Sequence, residues 1–436
     1  MSKRVLFAMV LLGAALSLGA QNRYNPARIP EYDYIGAAGL MFQDYRNYGL
    51  STFLYPLEDG KLVTFLHPMV STEKFDSHIQ PDNYIFKNLT YNALSYGFHR
   101  GDALHGFELN LHGTMGVSLP GEPFRLIKNG TTEWEHQLGH LRGEMDLYLE
   151  LAYGYSRRIS DKLSVGGRVK LLAGLYGLDY NVTRLRLTMN ERTIQAEIEA
   201  ELNLTDKLVK LSAGNDGFLD WKSFIYKGIG NLPTGGGLAV DLGVCYEPVE
   251  GLEMSASLLD LGGIMWYYGN RATSSGKMVF TGLEDLTIDQ MNMDGLKEQF
   301  SQLKDDALNS LRLTPSDSKW RWKSVPFSAN AAVKYALPFY DRLRLGVMGN
   351  YMSYQWMPYW ETRFGADVKP LDWLDVAADL GTSAFGMVWG LSGSFRVHPF
   401  RFSVGMNNGF GGTAPVSRHP INANNRCVSF GILYEL

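Results

Sequence analysis

Glu197, Glu199 and Glu201 stand two residues apart, with Arg184 and Arg186 just before them, and His136 and His140 stand four apart. These are the patterns in the chain whose types and spacing could carry chemistry. One helical turn would put both imidazoles on one side, where they could hold a divalent metal if a third ligand joined them. The other histidines, at 67, 78, 99, 105, 112, 398 and 419, are scattered, and His105 and His112 fall on opposite faces of one strand by parity. No metal and no cofactor are expected. Acyl-transfer chemistry needs a nucleophile, a base and an orienting group, and no Gly-x-Ser-x-Gly elbow is present, so no enzymatic activity is expected. The acidic ladder reads either as a ring of charge that filters ions or as ion pairs between neighbouring strands inside a plugged lumen. The second is the expectation.

A ladder needs a frame, and the flanking residues supply one. Met145, Leu147, Leu149, Leu151, Tyr153 and Tyr155 alternate with Asp146, Tyr148, Glu150, Ala152, Gly154 and Ser156. After the turn RRISDK, Val165, Val169 and Leu171 alternate with Ser164, Gly166, Arg168 and Lys170. A period of two marks strands, whereas an amphipathic helix repeats every 3.6 residues. Further along, Leu343, Leu345 and Val347 oppose Arg344; Phe364 and Val368 oppose Glu361, Arg363 and Asp367; Leu374, Val376 and Leu380 oppose Asp375 and Asp379. The last ten residues, CVSFGILYEL, alternate in the same way. A two-residue turn at Asn190-Glu191 would place Arg184 opposite Glu197 and Leu187 opposite Ile194. The faces that carry Asp146, Glu150, Arg168, Lys170, Arg184, Arg186, Glu197, Glu199, Glu201, Arg344, Glu361, Arg363 and Asp367 are too charged for a packed soluble core and suit a wet, enclosed interior.

The 436 residues carry a net charge of -4, which gives no reason to expect a nucleic-acid partner. Lys3 and Arg4 followed by FAMVLLGAALSLGA read as a secretory signal peptide, residues 1–20, cut after Ala20. Tight turns near 99–102, 157–162, 248–251, 338–342, 369–372 and 398–400 alternate with longer connections at 113–144, 204–235, 263–325 and 408–425. That asymmetry belongs to a transmembrane β-barrel. Closure pairs every backbone group, which lipid demands. The expectation is therefore an all-β chain: a transmembrane antiparallel β-barrel of 14–16 strands over 48–436, preceded by a possible plug, 21–47. A large periplasmic β protein with one wet face would show the same alternation but would seal its apolar faces against a second layer. Tyr351, Trp356, Tyr359 and Trp360 are expected in the interfacial girdle, and Trp320, Arg321, Trp322 and Lys323 as girdle aromatics with snorkelling cations. Inside loop 263–325, Leu296, Phe300, Leu303, Ala307 and Leu311 share one face of a helix, 294–311, that would dock on a partner or order the loop.

The start QNRYNPARIP, with Asn25-Pro26-Ala27, and the hairpin YGYSRRISDKLSVGGRVKLLAG (153–174) resemble the FadL-like superfamily of outer-membrane barrels. More closely, they resemble an uncharacterised Bacteroidota family within it. The resemblance implies residence in the outer membrane, contact with its lipids or lipopolysaccharide, and one of two functions. The first is an accessory or structural barrel in an assembly, secretion or lipoprotein-handling complex, with other outer-membrane proteins or lipoproteins as partners. The second is passive transport of small hydrophobic compounds. The lumen charges and the helix-bearing loop favour the accessory role. The chain departs from such barrels by ending on Leu436 rather than on an aromatic residue.

Overall fold

The structure is a computed structural model that describes residues 24–57, 62–130, 135–189, 194–205, 209–210, 214, 217–219, 225–226, 233–267, 269–280, 313–317, 320–354, 356–408 and 424–436. Among these, fourteen antiparallel strands close on themselves. The first seven are β1 Tyr34–Arg46, β2 Asp82–Arg100, β3 Ala103–Pro120, β4 Leu141–Ser160, β5 Leu163–Met189, β6 Gly235–Val249 and β7 Leu252–Trp266. The rest are β8 Phe327–Leu337, β9 Tyr340–Tyr354, β10 Met357–Leu371, β11 Leu374–Ser383, β12 Gly386–Val397, β13 Phe400–Asn407 and β14 Asn424–Glu435. Each pairs with the next in sequence, and β14 returns to β1 from Tyr34↔Glu435 to Arg46↔Asn424. Closure leaves no edge strand. Leu436 N–H donates to the Asp33 carbonyl (2.9 Å) at the seam, and a hydrogen bond from His99 holds the Asp33 carboxyl below its ordinary range.

The period-two pattern is read out inside-out. Leu149, Leu151, Val169, Leu171, Leu242, Phe364, Leu380 and Val428 all stand exposed on the outer face. Their neighbours Glu150, Arg168, Lys170, Asp241, Glu361 and Arg363 are buried within. A soluble β protein would do the reverse, so the layered alternative fails: no second sheet covers the apolar faces among the described residues. Two-residue connections at one end, such as 101–102 and 161–162, contrast with long ones at the other, where only 355–356 and 384–385 are short.

At the long-connection end, α1 Leu50–Phe53, α2 Thr72–Asp76 and α3 Glu122–Asn129 gather Tyr55, Val70, Phe75 and Ile79 into a small core of their own. Ser71 starts α2 by accepting the Lys74 N–H at 3.2 Å, an ordinary N-cap.

Fourteen is the lower of the two expected strand counts, and the reason is visible above β5. Leu141↔Val182 is the last rung with β4, yet β5 runs on to Met189 and pairs with a strand Ile194–Thr205, which pairs with Asn270–Phe280. This ribbon alternates as regularly as the wall, so its strands are indistinguishable from wall strands by periodicity. Its register differs from expectation: Arg184 faces Glu199 and Arg186 faces Glu197, with Leu187 opposite Ala196. The connection spans four residues, 190–193, rather than two, which slides every partner by two positions and so preserves the faces. Segment 21–47 divides, since 34–46 is wall strand β1 and only the residues before it lie off the wall. Loop 263–325 contributes strand at both ends, and the helix expected over 294–311, with Leu296, Phe300, Leu303, Ala307 and Leu311, lies outside the described residues.

Candidate functional site: the barrel lumen

Parity places eight of the thirteen candidate charges on the inner wall, and strand order sorts them into groups. Lys170 on β5 lies 3.6 Å from Glu150 on β4, 3.0 Å from Asp241 on β6 and 2.5 Å from Asp260 on β7. Arg168 reaches Asp241 (3.3 Å) and Glu108 on β3 (3.6 Å). His112 meets Glu150 at 3.1 Å, and Asn110 donates to the same carboxylate at 2.9 Å. Asp260 sits on a bulge with φ of 63°, and its N–H donates to Asp241 at 2.8 Å. The bulge turns a residue inward that strict alternation would send outward. Four carboxylates and two fixed cations thus interlock across five strands, each satisfied by partners on the next.

A second group lies nearer the long-connection end. Lys323 touches Glu144 (3.0 Å), Asp146 (2.6 Å) and Asp179 (2.9 Å), and Arg321 also pairs with Asp179. Lys323 and Arg321 are therefore inner-wall cations, not snorkelling girdle residues. Trp-Arg-Trp-Lys alternates, so Trp320 and Trp322 point out while the cations point in. The same rule splits the expected girdle: Tyr351 and Trp360 are exposed outside, whereas Tyr359 is buried inside and Trp356 Nε1 donates to Glu144 at 2.7 Å.

Along β8 to β11, Asp367 joins Lys334 (3.1 Å) and Arg344 (2.6 Å), while Arg363 joins Glu361 and Asp379, both at 2.8 Å. At the tight-turn end, Arg401 binds Glu435 (3.0 Å) and Asp375 (3.5 Å) and lies over the Tyr32 ring.

Arg184, Arg186, Glu197, Glu199 and Glu201 are not brought into these groups. They stand on the ribbon at and beyond the last rungs of β4, where Arg184 pairs with Glu199 at 2.9 Å and Arg271 with Glu201 at 2.9 Å, all partly exposed. Neither an ion filter nor a plugged lumen is built from them. Glu197→Gln with Glu199→Gln should change stability by no more than about 1 kcal/mol, as exposed pairs do. Ion preference in a planar bilayer should be unchanged. A shifted reversal potential would contradict this placement.

The segment before β1 enters the lumen at the tight-turn end. Asn25 Nδ2 donates to the carbonyls of Val244 (3.0 Å) and Ala256 (3.2 Å), and its Oδ1 accepts the Ala27 N–H at 2.9 Å. Ser156 donates to the Pro26 carbonyl, Ser164 to that of Ala27 (2.9 Å) and Ser257 to that of Tyr24. Arg28 pairs with Glu253. Gly166 and Gly243 form the floor of this seat: a Cβ on either would run into Pro26 or Asn25, so only glycine lets the segment lie against the wall. Asn25, Pro26 and Ala27 thus act as one docked turn.

Beside this segment the lumen keeps a cavity of about 460 Å³, with Arg28, Lys334, Arg344, Asn350, Asn407 and Met41 lining one side and Glu150, Lys170 and Asp260 of the ion-paired group the other. His105 meets Tyr153 (2.8 Å), exposed on the outer face, and no group of three metal-capable side chains occurs among the described residues.

Sequence reasoning passed over Glu108, Glu144, Asp179 and Asp241, and put Lys323 on the wrong face. Parity against Leu238, Val240 and Leu242 would have found Asp241; Asp260, behind its bulge, had no such signal.

Closed antiparallel pairing, an apolar exterior and an ion-paired interior define a transmembrane β-barrel. The chain belongs to the family described as "Family of unknown function (DUF5723)", which it matches over residues 26–407. No curated protein matches it in sequence. Among solved structures it is similar to the Ralstonia pickettii toluene transporter TbuX, at 8% identity, with 97% of this chain and 95% of that one covered and a TM-score of 0.44. It is also similar to a Pseudomonas aeruginosa FadL homologue, at 12% identity over 98% and 96%, with a TM-score of 0.43. The translocator domain of the autotransporter NalP from Neisseria meningitidis gives 9% over 96% and 95%, with a TM-score of 0.32. Likeness this distant carries nothing about mechanism.

Proposed function

We propose that the protein is a passive channel of the outer membrane for small compounds, with the lumen cavity as its binding chamber. The observation that carries this reading is the chamber itself: the ion pairs of β3 to β7 fill one part of the lumen, and the wall of β8 to β14 leaves about 460 Å³ beside them. The docked segment Tyr24–Asp33 is the element that would set access from the tight-turn end. Two of the similar structures are named as a toluene transporter and a FadL homologue. Brought to this chain, those names suggest a small cargo of low charge. The exposed outer band, with Trp320 and Trp322 at one rim, suits contact with lipid or lipopolysaccharide.

The accessory role favoured by the sequence becomes the second reading. What supports it is the density of wall-to-wall ion pairs, which would make a rigid scaffold. The test is reconstitution of the mature protein in planar bilayers. The channel reading expects small, fluctuating conductance that rises in the variant Asn25→Ala with Arg28→Ala, because the segment loses its ties to β6 and β7. Silence from both proteins, together with near-stoichiometric membrane partners in a gentle-detergent pull-down, would favour the scaffold.

A further inference from the structure

The two halves of the inner wall differ in chemistry. On β3 to β7 the inner wall carries the ion-paired group of Glu108, Glu150, Arg168, Lys170, Asp241 and Asp260. On β11 to β14 and β1 the register sets small neutral residues side by side. One row runs Asp379, Gly390, Asn407, Cys427, Gln43; the next runs Ala377, Ser392, Gly405, Ser429, Met41. Asp379 is the one charge in these rows, and Arg363 neutralises it at 2.8 Å. Short side chains leave room on this side of the cavity, which the matched ion pairs Glu150–Lys170 and Arg168–Glu108 face from the other side.

Within this neutral wall three polar oxygens meet no hydrogen-bond partner: Asn407 Oδ1, Asn425 Oδ1 and Ser429 Oγ. Asn407 is more than nine-tenths buried, and both Asn407 and Ser429 line the chamber. Asn425 spends its amide hydrogens on Tyr359 (2.7 Å) and Ser383 (3.0 Å), so what remains on it is an acceptor. Buried groups of this kind cost free energy unless a partner meets them. The unmet capacity is chiefly that of acceptors, and it is uncharged. Met41, directly opposite Ser429 in register, adds pliable apolar surface beside it, and Met348 lines the same chamber.

We infer that this wall is a subsite for an uncharged small molecule that offers hydroxyl donors, held by Asn407 and Ser429 over a floor of small residues. An ionic ligand finds no unmatched charge there and would lose its hydration without compensation. The inference rests on the chamber being where cargo sits, and it names the class of that cargo.

The probe is xylitol, which does not partition into lipid, observed by saturation-transfer NMR with the full mature protein in nanodiscs. Transfer to xylitol is expected with the natural protein and not with gluconate, a hydroxylated anion. Asn407→Leu with Ser429→Ala should weaken xylitol binding about tenfold or more, as loss of two hydrogen bonds implies. Ser429→Ala alone should weaken it by a smaller factor, and heat-dependent migration on gels shows that both variants are folded. No transfer to xylitol beyond that of empty nanodiscs, equal transfer to gluconate, or binding that ignores both substitutions overturns the inference. Asn407-dependent binding without conductance would overturn the channel and leave the subsite standing. Conductance without such binding would do the opposite.

Discussion

Lys170→Met is expected to lower the unfolding free energy of the barrel by about 3–5 kcal/mol, the range found when one member of a buried ionic group is removed. Lys170 is 6% exposed, and its ammonium holds three carboxylates, Glu150, Asp241 and Asp260, from three different strands. Methionine fills the same volume, so lost packing is small. What changes is charge: Glu150, Asp241 and the partly buried Asp260 lose their common counter-ion, and of the three Arg168 still reaches Asp241 and His112 still meets Glu150. Desolvation of unmatched carboxylates then dominates, because their hydration was given up on folding. Urea unfolding in detergent, followed by tryptophan emission, measures the loss. A change below about 1 kcal/mol, the size of an exposed pair, would mean that the cluster is open to water. Removing Asp260 together with Lys170 should recover part of the loss, since the two are coupled at 2.5 Å.

Leu171→Lys, one residue further on, is expected to cost about 2–4 kcal/mol if its position lies near the bilayer midplane. Leu171 is 56% exposed. In a water-soluble protein a lysine at so open a site would be nearly neutral. Here the exposed face belongs to hydrocarbon, and a charge placed there has no partner on the wall. Insertion into liposomes and the heat-dependent gel shift report the effect. Wild-type stability for Leu171→Lys in lipid would sink the transmembrane reading. The two substitutions form a pair: a lysine is indispensable at 170 and damaging at 171, because adjacent strand residues face opposite media.

Particular residues show how far sequence reaches. Val169, Lys170 and Leu171 betray their faces by alternation alone, as do Glu361, Arg363, Phe364 and Asp367. The tight turns and the two-faced last strand were equally legible. Parity did not reveal how far the wall extends. Arg184 and Glu199 alternate with apolar neighbours as strictly as Arg168 does, yet they stand on a ribbon past the end of β4. Tyr359 and Trp360 could not both belong to the girdle, and parity alone would have said so. Asp260 was out of reach, because a bulge resets the count and no local feature of LLDLGG announces one.

The sequence by itself determined the strands, their two faces, the short-and-long order of their connections and hence a closed sheet with apolar residues outside. These are local properties: a period of two needs only neighbours, and an odd or even position decides which medium a side chain meets. The tertiary structure alone decided which charges share a cluster, that Asn25-Pro26-Ala27 seats on Gly166 and Gly243, and that neutral residues of β11 to β14 and β1 line one side of the chamber. Each of these joins residues far apart in the chain, and contact between them follows from register, bulges and barrel closure, which no short stretch encodes.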